Sequence, residues 1–174
     1  MESFSHKLKQ ITFKTFHRNQ LVTFDYDELF SNRRVLIFSI NNSYTRCSGL
    51  HIKSFELAYQ KLLDLGLDNV YAIDSSDRLI GPMMDKKSTD IVGLPDRDLE
   101  FVNAVAKLTN NNNDIKDLAR LWQYVIIINS GEPEKLWSSP FKKQTSLSVL
   151  KNPTLRYRGL GVNIIEKYLV DNQT

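Results

Sequence analysis

Cysteine is nearly absent from this chain: Cys47 stands alone among 174 residues. A lone thiol excludes a disulfide framework within these residues and a zinc site built on several thiolates. Glycine is scarce as well, and its 7 occurrences spell neither a GxGxxG turn nor a Walker-type phosphate loop. The three histidines, His6, His17 and His51, stand too far apart for an HExxH-type metal site. Long hydrophobic runs are missing. Stretches such as Val125-Ile126-Ile127-Ile128 fall far short of the ~20 apolar residues of a membrane helix. The polar start MESFSHKLKQ has no apolar signal core. The expectation is a cytoplasmic protein without a membrane partner. Neither sign of charge dominates: 23 basic residues face 20 acidic ones for a net +3. The basic pairs Arg33-Arg34, Lys86-Lys87 and Lys142-Lys143 are scattered, not gathered into the stripe that binds nucleic acid, which is therefore not an expected partner.

What is present suits a globular core. Hydrophobic residues make up 41% and aromatic residues 10% of the chain, and the length predicts a single domain over 1–174. The β-favouring runs Ile11-Thr12-Phe13 and Leu21-Val22-Thr23-Phe24 flank a polar turn at His17-Arg18-Asn19 and predict an N-terminal hairpin. A short helix over Asp25 to Phe30 follows. Val35 to Ile40 reads as a central strand covered on both faces. From Cys47 the period changes: Ile52, Phe55, Ala58, Tyr59, Leu62 and Leu65 recur at three and four, with Gly66 placed as a C-cap, which predicts a long helix. Val70 to Ile73 is a second buried strand, completing a right-handed βαβ unit. A turn at Pro95-Asp96 precedes a helix over Asp98 to Leu108, and Thr109 to Asp114 is a polar loop. Gln123 to Asn129 predicts a third central strand, turning at Ser130-Gly131 into an antiparallel strand at Glu134 to Trp137. Gly161 to Val170 predicts a closing amphipathic helix, while Ser138 to Arg158 carries no clear period. The fold class is α/β, a mixed central sheet with helices on both faces.

Cys47 falls where a polar loop after a buried strand turns into a helix, at the carboxyl end of a sheet where open α/β folds hold ligands. The thiolate is the nucleophile, and a free thiol with pKa near 8.5 is only ~3% thiolate at pH 7. Lowering the pKa to about 6 takes roughly 2.5 units, ~3.4 kcal/mol, whereas a helix N-terminus gives ~0.3–1 and at best about 2 kcal/mol. A cation or further donors must supply the rest. Arg46, His51 one helical turn on, and Arg120 are the candidates.

The stretch Asp27 to Ile40, followed by Ser43-Tyr44-Thr45-Arg46-Cys47-Ser48 and His51, resembles the peroxiredoxins, in particular the type II, peroxiredoxin-5-like redoxin domains, whose loop reads P-G-[AS]-[FY]-T-P-T-C-S-x-x-H. The likeness continues through Leu63-Asp64-Leu65-Gly66, Val70 to Asp77, Asp96 with Glu100-Phe101, and Tyr124 to Gly131 (family R-[FY]-[AS]-M-x-V-x-D-G). It implies a thioredoxin-like fold and a thiol peroxidase. By resemblance, Cys47 is the peroxidatic residue, Thr45 holds the peroxide, and His51 matches the family histidine. No cofactor or metal is implied. With no second cysteine, the resolving thiol is external, from glutathione, a glutaredoxin or thioredoxin. A homodimer is implied as well.

Three positions depart from the family pattern: Asn41 stands for the loop proline, Thr45 lies two residues before Cys47 where the family has three, and Gln123 replaces the arginine that lowers the thiol pKa. Two readings follow, a one-cysteine peroxidase or a decayed redoxin fold kept for binding or assembly. The bland alternatives for single residues are helix N-caps for Thr45 and Ser48, a backbone hydrogen bond for His51, surface groups for Arg120 and Gln123, and core or dimer-interface aromatics for Trp122, Tyr124 and Trp137.

Overall fold

The computed structural model describes residues 2–40, 46–74, 80–86, 90–109, 124–138 and 161–173, with the backbone alone at 46–48 and 50. The elements run α1 (Phe4–Leu8), β1 (Phe13–His17), β2 (Gln20–Phe24), α2 (Tyr26–Leu29), β3 (Arg34–Ser39), α3 (Arg46–Asp64) and β4 (Asn69–Asp74). After these come α4 (Ile80–Lys86), β5 (Val92–Pro95), α5 (Glu100–Leu108), β6 (Tyr124–Asn129), β7 (Glu132–Ser138) and α6 (Val162–Asp171). Most elements match the sequence expectations. α1, α4 and β5 do not appear among them, and Pro95 ends a strand rather than standing in a turn. Ser139 to Arg158, Asn110 to Asp114 and Gln123 lie outside the described residues.

The expected hairpin forms with a tighter turn. β1 extends to His17, pairing with Gln20, and Arg18 and Asn19 both take positive φ. Two consecutive left-handed residues make the two-residue turn whose twist matches paired strands. The Asp85 carboxylate accepts from both turn amides, Arg18 N at 2.6 Å and Asn19 N at 3.0 Å, which ties the hairpin to α4.

The main sheet has the order β5-β4-β3-β6-β7, with β3, β4 and β5 parallel and β6 and β7 antiparallel to their neighbours. Side chains of β3 alternate between two cores. Val35 and Ile37 face α1, α2 and α5, joined by Phe13, Leu29, Phe101 and Ile126. Leu36, Phe38 and Ile40 face α3, α4 and α6, joined by Ile52, Phe55, Met84, Val125 and Leu169. Burial on both faces explains why β3 and β6 read as unbroken apolar runs.

α3 ends where Gly66 takes φ +101, and the amide of Leu67 reaches back to the Leu62 carbonyl at 3.3 Å. Only glycine adopts that backbone without strain. At the same end of the sheet Arg34, read from sequence as solvated surface, is largely buried. It spans β6 to make a two-point ion pair with Glu134 on β7, with Arg34 Nε at 2.9 Å from Oε2 and Nη2 on Oε1. The β6–β7 register shifts between Ile127, opposite Lys135, and Ile128, opposite Pro133. Glu134 is thus the extra residue of a bulge, and a bulge re-aims its side chain. The Tyr168 hydroxyl of α6 donates to the same carboxylate at 3.2 Å.

Candidate active site

Because β3, β4 and β5 run parallel, their last residues Ser39, Asp74 and Pro95 gather on one edge of the sheet. β6 runs the other way, so its first residue, Tyr124, arrives at that same edge. α3 begins there too, with Arg46 and Cys47 as its first residues. The sequence therefore placed Cys47 on the right element: a helix N-terminus at the carboxyl edge, where unsatisfied backbone N–H groups and the helix dipole favour an anion. No acidic side chain occupies that first turn.

His51 lies one turn further along α3, on the same side as Cys47. It is 3% exposed. Its ring stands edge-on to Phe38 at 5.5 Å and to Phe55 at 5.2 Å, and those two phenyl rings stack at 4.1 Å. Desolvation in this aromatic setting lowers the imidazole pKa to about 4. A ring with that pKa is neutral near pH 7, so of the two supports the sequence left open for the thiol, a cation or a further donor, burial leaves His51 the donor. Thr45, Arg120 and Gln123 lie outside the described residues, as do the side chains of Arg46 and Cys47.

Beside the start of α3 the strand ends are tied together by buried polar groups that sequence reasoning treated as ordinary strand or turn residues. The Ser39 hydroxyl accepts from the Tyr124 backbone N–H at 2.8 Å. The Tyr124 ring packs on Phe101 at 6.4 Å between centroids. The Asp96 carboxylate accepts from the amides of Phe101 at 3.1 Å and Val102 at 2.9 Å. It thereby caps α5, whose own N-cap residue, Leu99, sits at φ +60 and offers no side-chain acceptor. The Asp96 amide in turn donates to the Asp74 carbonyl at 3.1 Å. Burial, with repulsion from Asp96 and Asp74, holds the Tyr124 phenol protonated well above the usual tyrosine range. The signal for Ser39 and Asp74 was there to read: each is a polar residue closing an apolar run, Val35 to Phe38 and Val70 to Ile73.

Comparison with known proteins bears on this edge. No family model matches the chain. It is 27% identical over 154 residues to the hybrid peroxiredoxin hyPrx5 of Haemophilus influenzae, covering 83% of this chain and 64% of that one. It is 25% identical over 117 residues to a peroxiredoxin of Synechocystis, covering 66% and 61% respectively. Both of these relatives are named peroxiredoxins, and the chain is similar to them. It spans just over three fifths of the length of these curated peroxiredoxins. Reduced Prx3 from Vibrio vulnificus, solved in complex with H2O2, superposes with a TM-score of 0.63 at 19% identity, covering 88% of this chain and 99% of that one. Peroxiredoxin 5 from Alvinella pompejana gives 0.58 at 17% identity, covering 85% and 95%. The mixed sheet with helices on both faces and an N-terminal hairpin is the thioredoxin-like α/β fold of these peroxiredoxin structures.

Proposed function

We propose that the chain is a thiol peroxidase in which Cys47 reduces hydrogen peroxide or an alkyl hydroperoxide. The Cys47 thiolate attacks one oxygen of the peroxide. An S–O bond forms as the O–O bond breaks, the departing oxygen takes a proton and leaves as water or alcohol, and the sulfur is left as a sulfenic acid. A thiol then displaces the sulfenic oxygen as water to give a mixed disulfide. A second thiol releases Cys47 and carries away the reductant's disulfide. These 174 residues hold one cysteine, so both thiols come from outside them, from glutathione, a glutaredoxin or thioredoxin.

The observation carrying this reading is the backbone position of Cys47 in the first turn of α3, at the edge where β3, β4 and β5 end. The peroxiredoxin names of its relatives and the peroxide held by the V. vulnificus protein support the same chemistry. The helix end supplies at best about 2 of the ~3.4 kcal/mol that thiolate formation at pH 7 requires. With His51 neutral and Gln123 an uncharged amide, Arg46 and Arg120 are the cations left to supply the remainder. Thr45 is assigned to hold the peroxide.

The test is peroxide consumption with dithiothreitol or glutathione. Wild type is expected to turn over and Cys47→Ser to lose turnover, while equal rates would remove the enzymatic reading. Gln123→Arg is expected to speed the reaction by restoring a fixed charge. The neutral His51 also favours a second reading, a redoxin fold retained for binding or assembly, which predicts a wild-type thiol that alkylates no faster than free cysteine at pH 7.

A further inference from the structure

Ser39 closes the fully buried apolar run Val35 to Phe38 of β3, and is itself 5% exposed. The β3–β6 ladder runs from Arg34 opposite Asn129 to Phe38 opposite Val125. One step further, the Tyr124 N–H donates to the Ser39 hydroxyl at 2.8 Å. Ser39 and Tyr124 lie on the α5 side of the sheet, with Val35, Ile37 and Ile126, whereas Phe38 and Val125 lie on the α3 side. The bond therefore fixes which face each residue at the start of β6 presents, and it does so at the edge where Cys47 begins its helix. A slip of one residue there would exchange the faces. The Tyr124 ring, packed on Phe101, and the Asp96 cap of α5 back the clamp from behind.

We infer that Ser39 is a positioning residue for the Cys47 reaction: its hydroxyl clamps the first residue of β6 and so sets the phase in which that strand meets the cysteine helix. The inference rests on the peroxidase reading. It goes beyond it by assigning a role to a serine that the peroxidase reading does not use.

Cys47 is the sole cysteine, so alkylation reads that thiol alone. The experiment measures the pH dependence of iodoacetamide alkylation and the rate at which hydrogen peroxide consumes the free thiol, in wild type, Ser39→Ala and Ser39→Thr. Ser39→Ala removes the acceptor with little change in volume. It is expected to move the alkylation midpoint upward by about half a unit or more and to slow peroxide consumption at pH 7 about threefold, the change in thiolate population that such a shift makes. Ser39→Thr keeps a hydroxyl and is expected to return both readouts toward wild type, which a merely structural loss would not require. Ser39→Ala curves that superimpose on wild type, or an alanine variant that is less stable in urea with an unmoved alkylation profile, would overturn the inference. Should Ser39→Ala fail to fold, Ser39→Gly also lacks the hydroxyl, and a glycine profile superimposed on wild type would overturn the inference equally. A wild-type thiol indifferent to peroxide would remove the peroxidase reading instead, while the alkylation comparison would still decide the clamp.

Discussion

Burial decides what His51 contributes. An imidazole packed edge-on against Phe38 and Phe55 cannot carry charge cheaply, and its pKa falls from 6.5 to about 4. Between those values the unfolded chain binds a proton that the folded chain refuses. The stability His51 contributes is thus complete above about pH 6.5 and is lost as pH falls toward 4, by on the order of 3 kcal/mol. His51→Phe keeps an aromatic ring there and removes the titration. Urea midpoints at pH 7 and pH 4.5 are expected to converge in the variant relative to wild type; parallel falls would assign the acid sensitivity to other groups. At this scale the sequence was legible for Cys47, because the change from an apolar strand to a helical period marks a helix start. It left the role of His51 open, because exposure depends on the ring packing of Phe38, thirteen residues away in sequence.

Among the elements, β7 shows how a local irregularity acts at a distance. Pro133 gives β7 no amide to donate, and the bulge next to it turns Glu134 onto Arg34 and Tyr168. The Arg34 hydrogen bond holds the Glu134 carboxyl below its ordinary 4.5. Its contribution to stability is therefore present above that value and lost as pH falls through the lower folded one. Glu134→Gln leaves a largely buried guanidinium facing a neutral amide and is expected to cost about 1–3 kcal/mol at pH 7. Thermal melts should show the gap from wild type narrowing in acid, and a gap independent of pH would show that charge is not what the pair supplies. The elements that sequence reading missed share a cause. β5 is four residues with a glycine and a proline, and α4 carries Gly81 and Pro82. Both are specified by close packing instead of propensity. A Cβ on Gly93 would lie 2.8 Å from Ile80, and one on Gly81 would lie 2.3 Å from the Thr15 hydroxyl, which itself donates to the Gly93 carbonyl at 2.5 Å. Such approaches are invisible to period and composition.

For the whole molecule, one sheet serves two cores, so damage on either face should be felt on the other. Phe101 lies fully buried on the α5 face, and Leu169 of α6 fully buried on the α3 face. Phe101→Ala and Leu169→Ala are each expected to destabilise by about 3–5 and 2–5 kcal/mol respectively. β3 and β6 send alternate residues into both cores, so neither core can dissolve while the sheet stands. Each variant should therefore still unfold in one transition, with far-UV circular dichroism and Cys47 alkylation following the same urea curve. The alternative is specific. α6 holds to the rest through Ile165, Leu169, the Tyr168–Glu134 hydrogen bond and the Lys61–Glu166 ion pair at 2.7 Å. Were those contacts a separable unit, Leu169→Ala would free Lys167 to trypsin at urea concentrations where the dichroism is still native. Phe101→Ala would not. Cleavage and dichroism moving together in both variants is the outcome that a sheet shared between two cores requires.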